Sequence, residues 1–340
     1  MDANQLRIRI VGGSLAGLFA GIMLQQAGHD IHIYERSKNG LAGRGTGLVG
    51  QSDLLRILRL IGCAHVANVG VAAKERIYLE QDGSIALIAN MPQTQISWDV
   101  LFETLASRIA SGNYRLGRDV VNVLDGDRGA ELVFGDGSRE MADLVIGADG
   151  LGSKVRGAVN PGDFHNSYAG YVAWRGLVAE TSLPSAAAML LDRFSFYVRP
   201  GVHVLGYLVP GSKGEMTTGS RRYNWVWYRK VPQIDLAVTL SDRDNHAHAF
   251  SLPRGGLSDD RLTALRTDAR EMLPLQFAMA VEAEPRPSIQ GIFDYEAPRM
   301  IGRSIALIGD AAFVARPHTA MGVSKAAGDV MALTKPRIRD

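Results

Sequence analysis

The stretch Ile8–Arg36 reads IRIVGGSLAGLFAGIMLQQAGHDIHIYER and predicts one β-α-β unit. In order, it contains a strand over 8–11, a glycine-rich turn over 12–17, a helix over 15–27, a helix stop at Gly28 and a second strand over 31–34. The helix is indicated by apolar residues at the spacing of one helical face, namely Leu15, Leu18, Phe19, Ile22 and Met23. Gly28 can supply the left-handed backbone that ends a helix.

The glycine-rich turn suits the pyrophosphate of a dinucleotide. Backbone N–H groups at a helix N-terminus are unpaired and attract negative charge, and a turn without side chains lets a phosphate approach. Gly12 and Gly17 match the first and last glycines of the G-x-G-x-x-G pattern, and Ser14 stands at the middle one. Glu35 follows at about 20 residues, where a carboxylate accepts hydrogen bonds from an adenosine ribose. A purely structural turn is the alternative, and the dinucleotide is at this point either FAD or a nicotinamide.

The composition favours an ordinary globular protein. The chain has 340 residues, of which 46% are hydrophobic and 21% charged, and its net charge is +2. This charge gives no reason to expect nucleic acid or a membrane as a partner. Cys63 is the only cysteine, which excludes internal disulfides and a cysteine metal cluster and suits a reducing compartment. We therefore expect a cytoplasmic protein without a signal peptide, a membrane span or a metal site.

Two later segments also end a buried strand with an aspartate. Residues 143–150 read DLVIGADG and are followed by Ser153 and Arg156, and residues 304–312 read SIALIGDAA. Ligands of α/β sheets bind at the carboxyl ends of the strands. A plain strand and turn is the alternative for each segment. Together with the first turn, the two segments predict a long, extended dinucleotide.

The middle of the chain predicts a second domain. Residues 168–231 contain aromatic-rich strands joined by short turns, which is typical of an antiparallel sheet. Residues 258–283 predict a helix capped by Ser258. We assign residues 1–73, 93–160 and 288–340 to a discontinuous dinucleotide-binding domain, and residues 74–92 and 161–287 to an inserted substrate-binding domain.

The three motifs together resemble the class A flavin monooxygenases, the FAD-dependent aromatic hydroxylases. The motifs are Gly12–Gly17 with Glu35 and Arg36, Asp143–Arg156, and Gly309–Ala312, in the family's order and at its usual separations. The resemblance covers nearly the whole chain. It implies an α/β fold in which a Rossmann-type FAD-binding domain carries an inserted antiparallel β-sheet substrate domain. It also implies FAD as cofactor and NADH or NADPH as co-substrate.

The resemblance also implies a reaction. Residues 168–176 and 316–318 are similar to family members that hydroxylate dihydroxypyridines. We therefore expect a monooxygenase that hydroxylates a small hydroxylated aromatic ring, foremost a dihydroxypyridine, with NAD(P)H and O2 through a flavin C4a-hydroperoxide. An FAD-binding protein without hydroxylase turnover and a flavin oxidoreductase are the alternatives. The oligomeric state is open, with a homodimer as one expectation. Relatives continue with further helices where this chain ends at Asp340, so we expect a shortened form.

The FAD contacts implied by the resemblance are Gly12, Ser14, Leu15, Ala16, Gly17, Glu35, Arg36, Asp149, Gly309, Asp310, Met321, Gly322, Val323 and Ser324. In this assignment Glu35 binds the adenosine ribose and Asp310 the ribityl and pyrophosphate region. The backbone amides of 321–324 face the isoalloxazine. Arg44 lies in a glycine-rich loop and is either a phosphate contact or a surface arginine. Ser97 stands where many relatives have an arginine.

Four residues are expected around the substrate. His203 lies on a predicted strand between apolar neighbours and is our candidate for the base that activates the ring, with a hydrogen-bonded sheet histidine as the alternative. Asn224 would orient the ring, and Pro317 would lie beside the flavin over the substrate. Trp227 is expected as pocket wall or core. His318 is either a loop residue or a flavin contact.

Overall fold

The computed structural model describes residues 5–41 and 47–334, and the predicted loop residue Arg44 lies outside them. The strands in these ranges are β1 (Arg7–Val11), β2 (Asp30–Glu35), β3 (Gly47–Val49), β4 (Gly70–Ala73), β5 (Arg76–Leu79), β6 (Ile85–Ala89), β7 (Gln93–Ser97), β8 (Tyr114–Leu116), β9 (Val120–Gly126), β10 (Gly129–Phe134), β11 (Arg139–Ala142), β12 (Leu144–Gly147), β13 (Ser167–Ala179), β14 (Phe194–Arg199), β15 (Val202–Val209), β16 (Arg222–Lys230), β17 (Ser251–Leu252), β18 (Ser288–Asp294) and β19 (Ile305–Leu307).

The α-helices in the same ranges are α1 (Leu15–Gln26), α2 (Ser52–Leu60), α3 (Trp98–Ser107), α4 (Arg156–Val159), α5 (Leu236–Thr239), α6 (Asp259–Met272), α7 (Leu275–Glu282) and α8 (Gly322–Leu333). Short 3-10 turns lie between several of them, including one over Gly309–Ala311 and one over Pro317–Thr319. Over the described residues, no helix combines the length and the apolar character needed to cross a membrane.

A five-stranded parallel sheet brings the three predicted motifs together. Its strand order is β19-β12-β1-β2-β8. Val11 at the end of β1 pairs with Gly147 at the end of β12, and Gly147 in turn pairs with Leu307 at the end of β19. Because these three strands are parallel and end at the same level, the turns that follow them lie side by side. Helices α1, α2, α3 and α8 contribute to the main core beside this sheet.

An eight-stranded sheet, ordered β17-β18-β13-β16-β15-β14-β5-β6, forms the second large layer. Its pairings are antiparallel except for β14 with β5. One face packs with α6 and α7 in a core that includes Trp225 and Phe277, and the other face carries a smaller aromatic and aliphatic cluster that includes Tyr207 and Tyr228. Because successive side chains of a strand point to opposite faces of the sheet, the same strands contribute to both clusters. The parallel sheet and this mainly antiparallel sheet confirm the predicted fold class.

Two details differ from the sequence-based expectations. Strand β18 pairs with β13 and β17 in the eight-stranded sheet, whereas the domain boundary at residue 288 placed it with the FAD-binding domain. The other domain limits stay predictions. The helix expected over 258–283 is two helices, because Pro274 lacks an N–H and begins the second one with non-helical backbone angles. Ser258 precedes α6 but its side chain makes no capping hydrogen bond.

Candidate active site

The first turn is packed so closely at positions 12, 13 and 17 that a Cβ there would approach its neighbours too closely. Gly12 has a φ of +106°, and a Cβ there would lie 2.3 Å from the carbonyl oxygen of Ala148. A Cβ on Gly17 would lie 2.0 Å from the carbonyl oxygen of Gly12, and one on Gly13 would lie 2.4 Å from Oη of Tyr114. The turn therefore presents bare backbone. The first N–H groups of α1, which include those of Leu15 and Ala16, have no partner within the helix.

Glu35 lies beside this turn, as the sequence predicted. Its buried carboxylate accepts hydrogen bonds from the backbone N–H of Gly13 at 3.0 Å and of Ser37 at 2.8 Å. A carboxylate has about four lone-pair sites, so it can accept further bonds from a ribose. Ser14 precedes α1 without a side-chain capping bond, and Arg36 is exposed at the end of β2. These residues border one surface around the start of the helix.

Asp149, after β12, orders its own loop. Its carboxylate accepts a 2.6 Å hydrogen bond from Oγ of Ser153 and a 2.6 Å bond from the backbone N–H of Lys154. Burial raises the pKa of this carboxyl in spite of these bonds. The side chain is thus turned inward, and its predicted cofactor role would be exerted through the loop that it shapes.

Arg156 ties the second turn to the third. This fully buried side chain donates to the carbonyl oxygens of Gly150 at 3.3 Å, Asp310 at 2.7 Å and Ala311 at 3.2 Å. Its guanidinium carbon also lies 3.7 Å from the ring centroid of Tyr295. The sequence motif contained Arg156, but no role was assigned to it. The signal was an arginine shortly after an aspartate-ended strand.

The third turn is clamped to α8. Gly309 has a φ of +59° and donates its N–H to Asp329 at 2.9 Å. Nζ of Lys325 donates to the same carboxylate at 2.6 Å and to the carbonyl oxygen of Gly309 at 3.1 Å. The neighbouring Asp310 has an exposed side chain, available to a ligand. We call Lys325, Asp329 and the Gly309 backbone the turn clamp.

Replacing Asp329 by alanine should weaken FAD binding and lower the melting temperature. The substitution leaves both the Gly309 N–H and the Lys325 ammonium without their carboxylate, and each lost hydrogen bond to a charged group costs about 1.5–3 kcal/mol. The measurements are a thermal melt and a fluorescence titration with FAD. Glu271→Ala, on the exposed side of α6, is the control. Wild-type values for both quantities in the Asp329 variant would show that the clamp does not hold the turn.

The start of α8 offers open backbone amides. Ala320 has left-handed backbone with a φ of 54°, and the N–H of Met321 lies 3.3 Å from Oγ1 of Thr319. The first bond along the helix runs from Lys325 N–H to Met321 carbonyl oxygen at 2.8 Å. The N–H groups of residues 322–324 therefore have no helical partner, and a Cβ at Gly322 would meet no atom within 4 Å. These amides can receive an electron-rich ring edge, as the resemblance implied.

A pocket of about 470 Å³ lies beside this helix start. It is lined by residues of β18, of the loop before α8 and of α8, namely Asp294, Phe313, Val314, Ala315, Arg316, His318, Thr319, Met321 and Lys325. Pro317 begins the 3-10 turn within this loop and is half-buried. The pocket thus lies between the loop that follows β19 and strand β18 of the eight-stranded sheet.

His203 lies near this pocket on the eight-stranded sheet. It pairs with Tyr228, with ring centroids 5.1 Å apart, and its Nε2 is buried without a partner among the described residues. Tyr228 contacts Tyr171 at 5.9 Å between centroids, and the guanidinium of Arg316 lies 5.9 Å from the Tyr171 ring. Burial lowers the pKa of His203, and repulsion from the nearby His318 lowers it further. His203 is therefore a neutral imidazole at neutral pH.

Asn224 and Trp227 lie on opposite faces of β16. Asn224 shares a face with Tyr228 and His203, and both atoms of its buried amide lack partners among the described residues. Trp227 is an odd number of residues away, so its ring points to the other face, into the core with Trp174. Of the two expectations for Trp227, this placement supports core and corrects its assignment as pocket wall. The unpaired amide of Asn224 leaves it suited to a polar ligand.

Two further observations bear on the predictions. Ser97, which stands where many relatives have an arginine, caps α3 by accepting a 3.3 Å bond from the N–H of Val100. On the surface, Asp242, Asp244 and His246 have candidate ligand atoms within 4.8 Å of one another. The acidic groups of that loop already bond within it, since Asp242 accepts the N–H groups of Asp244 and His246 at 2.9 Å.

The donor set fits FAD. This edge of the parallel sheet provides a glycine turn at a helix start, the buried carboxylate of Glu35 beside that turn and the exposed carboxylate of Asp310. The open amides before Lys325 lie at the start of a second helix. A dinucleotide with a ring system at one end needs such an extended series of contacts.

Comparison with known proteins supports this assignment. The family described as FAD binding domain matches residues 5–213, and the one described as FAD binding domain-like matches residues 168–294. The 2,6-dihydroxypyridine 3-monooxygenase of Paenarthrobacter nicotinovorans is 30% identical over 98% of this chain and 83% of its own length. The 3-amino-4-hydroxybenzoate 2-monooxygenase of Streptomyces cremeus is 28% identical over 98% of this chain and 79% of its own length.

Solved structures show the same fold. The 2,6-dihydroxypyridine-3-hydroxylase of Arthrobacter nicotinovorans superposes with a TM-score of 0.90 at 29% identity, over 97% of this chain and 83% of that one. A salicylate hydroxylase substrate complex, at 20% identity, superposes with a TM-score of 0.71 over 97% of this chain and 78% of that one. The family match, the relatives and the three turns of the site agree. The chain belongs to the class A FAD-dependent aromatic hydroxylases, a family of flavoprotein monooxygenases, and its cofactor is FAD.

Proposed function

We propose that this chain hydroxylates a dihydroxypyridine, using NADH or NADPH and O2. The similarity to the Paenarthrobacter enzyme, whose name gives 2,6-dihydroxypyridine as its substrate, supports this choice. The observation that carries it is the neutral, half-buried imidazole of His203, whose Nε2 has no partner among the described residues. A hydroxylated ring offers that nitrogen an acidic O–H. We also propose that the reaction takes place in the cytoplasm.

The proposed chemistry divides between cofactor and protein. FAD, when bound and reduced by NAD(P)H, lets one atom of O2 enter the ring while the other leaves as water. His203 takes the proton of the ring hydroxyl on Nε2, which makes the ring more electron-rich at the carbon that receives oxygen. Asn224 orients the ring, because its free amide offers both a donor and an acceptor. Pro317 lies in the loop that lines the pocket and would border the ring.

The proposed cofactor contacts follow the geometry of the three turns. The pyrophosphate is received by the backbone at Gly12, Ser14, Leu15, Ala16 and Gly17, and the adenosine ribose is bordered by Glu35 and Arg36. Asp149 shapes the second turn, and the ribityl region meets Gly309 and Asp310. The ring system receives backbone amides from Met321, Gly322, Val323 and Ser324. Hydrogen bonds from fixed backbone N–H groups cost little reorganisation when the cofactor binds.

A substrate panel tests the proposal. The FAD-loaded chain is mixed with NADH or NADPH, O2 and 2,6-dihydroxypyridine, other hydroxypyridines or phenols, and the products are identified by mass. We expect 2,6-dihydroxypyridine to stimulate NAD(P)H consumption most and to gain one oxygen. Bound flavin without substrate-stimulated turnover would support a flavin-binding protein instead. Substrate oxidation without oxygen insertion would support a flavin oxidoreductase.

The acid limb of the pH profile should report His203. The base must be neutral to accept a proton, and its pKa lies below the ordinary value of 6.5, so kcat/KM should rise with pH and the midpoint of this rise should lie below 6.5. The His318→Gln variant removes a positive neighbour that lowers this pKa, so its acid limb should move to higher pH. His65→Gln, an exposed histidine elsewhere, should leave the limb in place. An unchanged acid limb in the His318→Gln variant would show that His318 does not lower the pKa of the base.

A further inference from the structure

The arginine and the lysine that line the pocket beside α8 are both already paired. They are Arg316 and Lys325, and His318 is the histidine among the described lining residues. Nε of Arg316 donates to one oxygen of Asp294 at 2.7 Å and Nη2 donates to the other at 2.5 Å. Lys325 donates to Asp329 at 2.6 Å as part of the turn clamp. Neither cation is therefore presented alone to a substrate.

The ion pair between Arg316 and Asp294 links the two elements that line the pocket. Asp294 ends β18 of the eight-stranded sheet, and Arg316 precedes the loop that holds Pro317. The guanidinium also lies over the ring of Tyr171, which contacts Tyr228 beside His203. The same pair thus borders the region where the ring is proposed to bind.

A carboxylate on the substrate would meet unfavourable charge here. Arg316 is engaged by both carboxylate oxygens of Asp294, a bidentate arrangement that is stronger than a single hydrogen bond. The pKa of Asp294 is held below its ordinary value because Arg316 donates to it, so the carboxyl is ionised at neutral pH. A substrate carboxylate would either displace Asp294 or lie close to its charge. Both side chains are 42% exposed, so salt screens part of this effect.

We propose that Asp294 is a specificity-determining residue that excludes aromatic rings bearing a carboxylate from this pocket. By occupying Arg316, it removes the cation that would otherwise recognise a substrate carboxylate. This proposal rests on the proposed function and narrows its substrates to hydroxylated rings without an acid group. Arg175 lies on the same face of β13 as Tyr171, but it is not among the residues that line the pocket. Its guanidinium donates a hydrogen bond to the side chain of Gln290 at 2.8 Å.

A matched pair of ligands tests the exclusion without turnover. The probes are 2,6-dihydroxypyridine-4-carboxylate and the corresponding 4-carboxamide, which have similar shape and differ in charge. Binding to the FAD-loaded chain is followed by the change in flavin absorbance. We expect the wild type to bind the carboxamide roughly tenfold or more tightly, and the difference to shrink as salt is raised. Equal binding, or tighter binding of the carboxylate, would overturn the proposal.

Two variants assign the effect to the pair. Asp294→Asn frees Arg316 and should abolish or reverse the preference for the carboxamide. Arg316→Gln leaves the charge of Asp294 uncompensated and should widen the preference. Glu296→Gln, an exposed carboxylate just beyond β18, is the control and should keep the wild-type preference. An unchanged preference in Asp294→Asn would overturn the proposal. If that variant does not fold, a narrowed preference in Arg316→Gln would overturn it.

The outcomes for this proposal and for the proposed function are separable. A wild type that prefers the carboxamide but hydroxylates no dihydroxypyridine would contradict the proposed function and leave the exclusion standing. A wild type that hydroxylates 2,6-dihydroxypyridine and binds both probes equally would contradict only the exclusion. Binding of neither probe would contradict the exclusion, because the pocket would then not be the place where the ring enters.

Discussion

Replacing His203 by alanine should slow hydroxylation by roughly 10²–10⁴-fold, the range in which a general base contributes, while FAD binding stays normal. The expectation follows from a buried Nε2 without a partner among the described residues and from the lowered pKa of this imidazole. The ring lies on the face of the eight-stranded sheet that carries Tyr228, and none of the described hydrogen bonds that shape the three cofactor turns involves it. Single-turnover measurement of product formation gives the rate, and a titration gives the affinity for FAD.

A histidine elsewhere on the surface provides the control for His203→Ala. His65→Ala, which removes an exposed histidine, should leave the rate unchanged. Raising the pH should partly restore the His203→Ala variant, because the ring hydroxyl then ionises without help. A variant that hydroxylates at the wild-type rate across the pH range would leave His203 as a structural residue of the sheet.

Replacing Asp310 by alanine should weaken FAD binding by roughly 10- to 100-fold, since a lost hydrogen bond to a charged group costs about 1.5–3 kcal/mol. The side chain is exposed, while its backbone carbonyl is held by Arg156, so the turn should keep its shape without the carboxylate. The measurement is an FAD titration of the apoprotein, with a thermal melt in the absence of FAD to show that the fold is intact.

Asp260→Ala provides a matched control for the loss of an exposed aspartate, here in the first turn of α6. It should keep the wild-type affinity for FAD. Wild-type affinity in Asp310→Ala would mean that this carboxylate does not touch the cofactor. A lowered melting temperature of the apoprotein would instead indicate damage to the turn itself.

Local patterns predicted the elements of the fold well. The β-α-β unit needed only one helical face, a glycine turn and two apolar strands, and Gly28 has the positive φ of +86° expected at the helix end. The three motifs were predicted at strand ends, and the parallel register places those ends side by side. Strand alternation could also have placed Trp227 opposite Asn224, since the two lie three residues apart.

Contacts between residues that are far apart in the chain could not be predicted from the sequence. Nothing local to Lys325 or Asp329 shows that they hold Gly309, because that contact depends on how α8 packs against the turn. The ion pair between Asp294 and Arg316 likewise joins segments whose proximity follows from the whole sheet. The misplaced boundary at residue 288 has a similar cause: pairing of β18 with β13 is set by tertiary contacts rather than by composition.

Transfer of isotopically labelled oxygen tests the central claim most directly. The FAD-loaded chain is supplied with NAD(P)H, 2,6-dihydroxypyridine and labelled O2, and the product is analysed by mass. We predict that one labelled oxygen atom enters each ring for each NAD(P)H oxidised, with the second atom in water. Rings that gain no label, while NAD(P)H oxidation yields only hydrogen peroxide, would contradict the account.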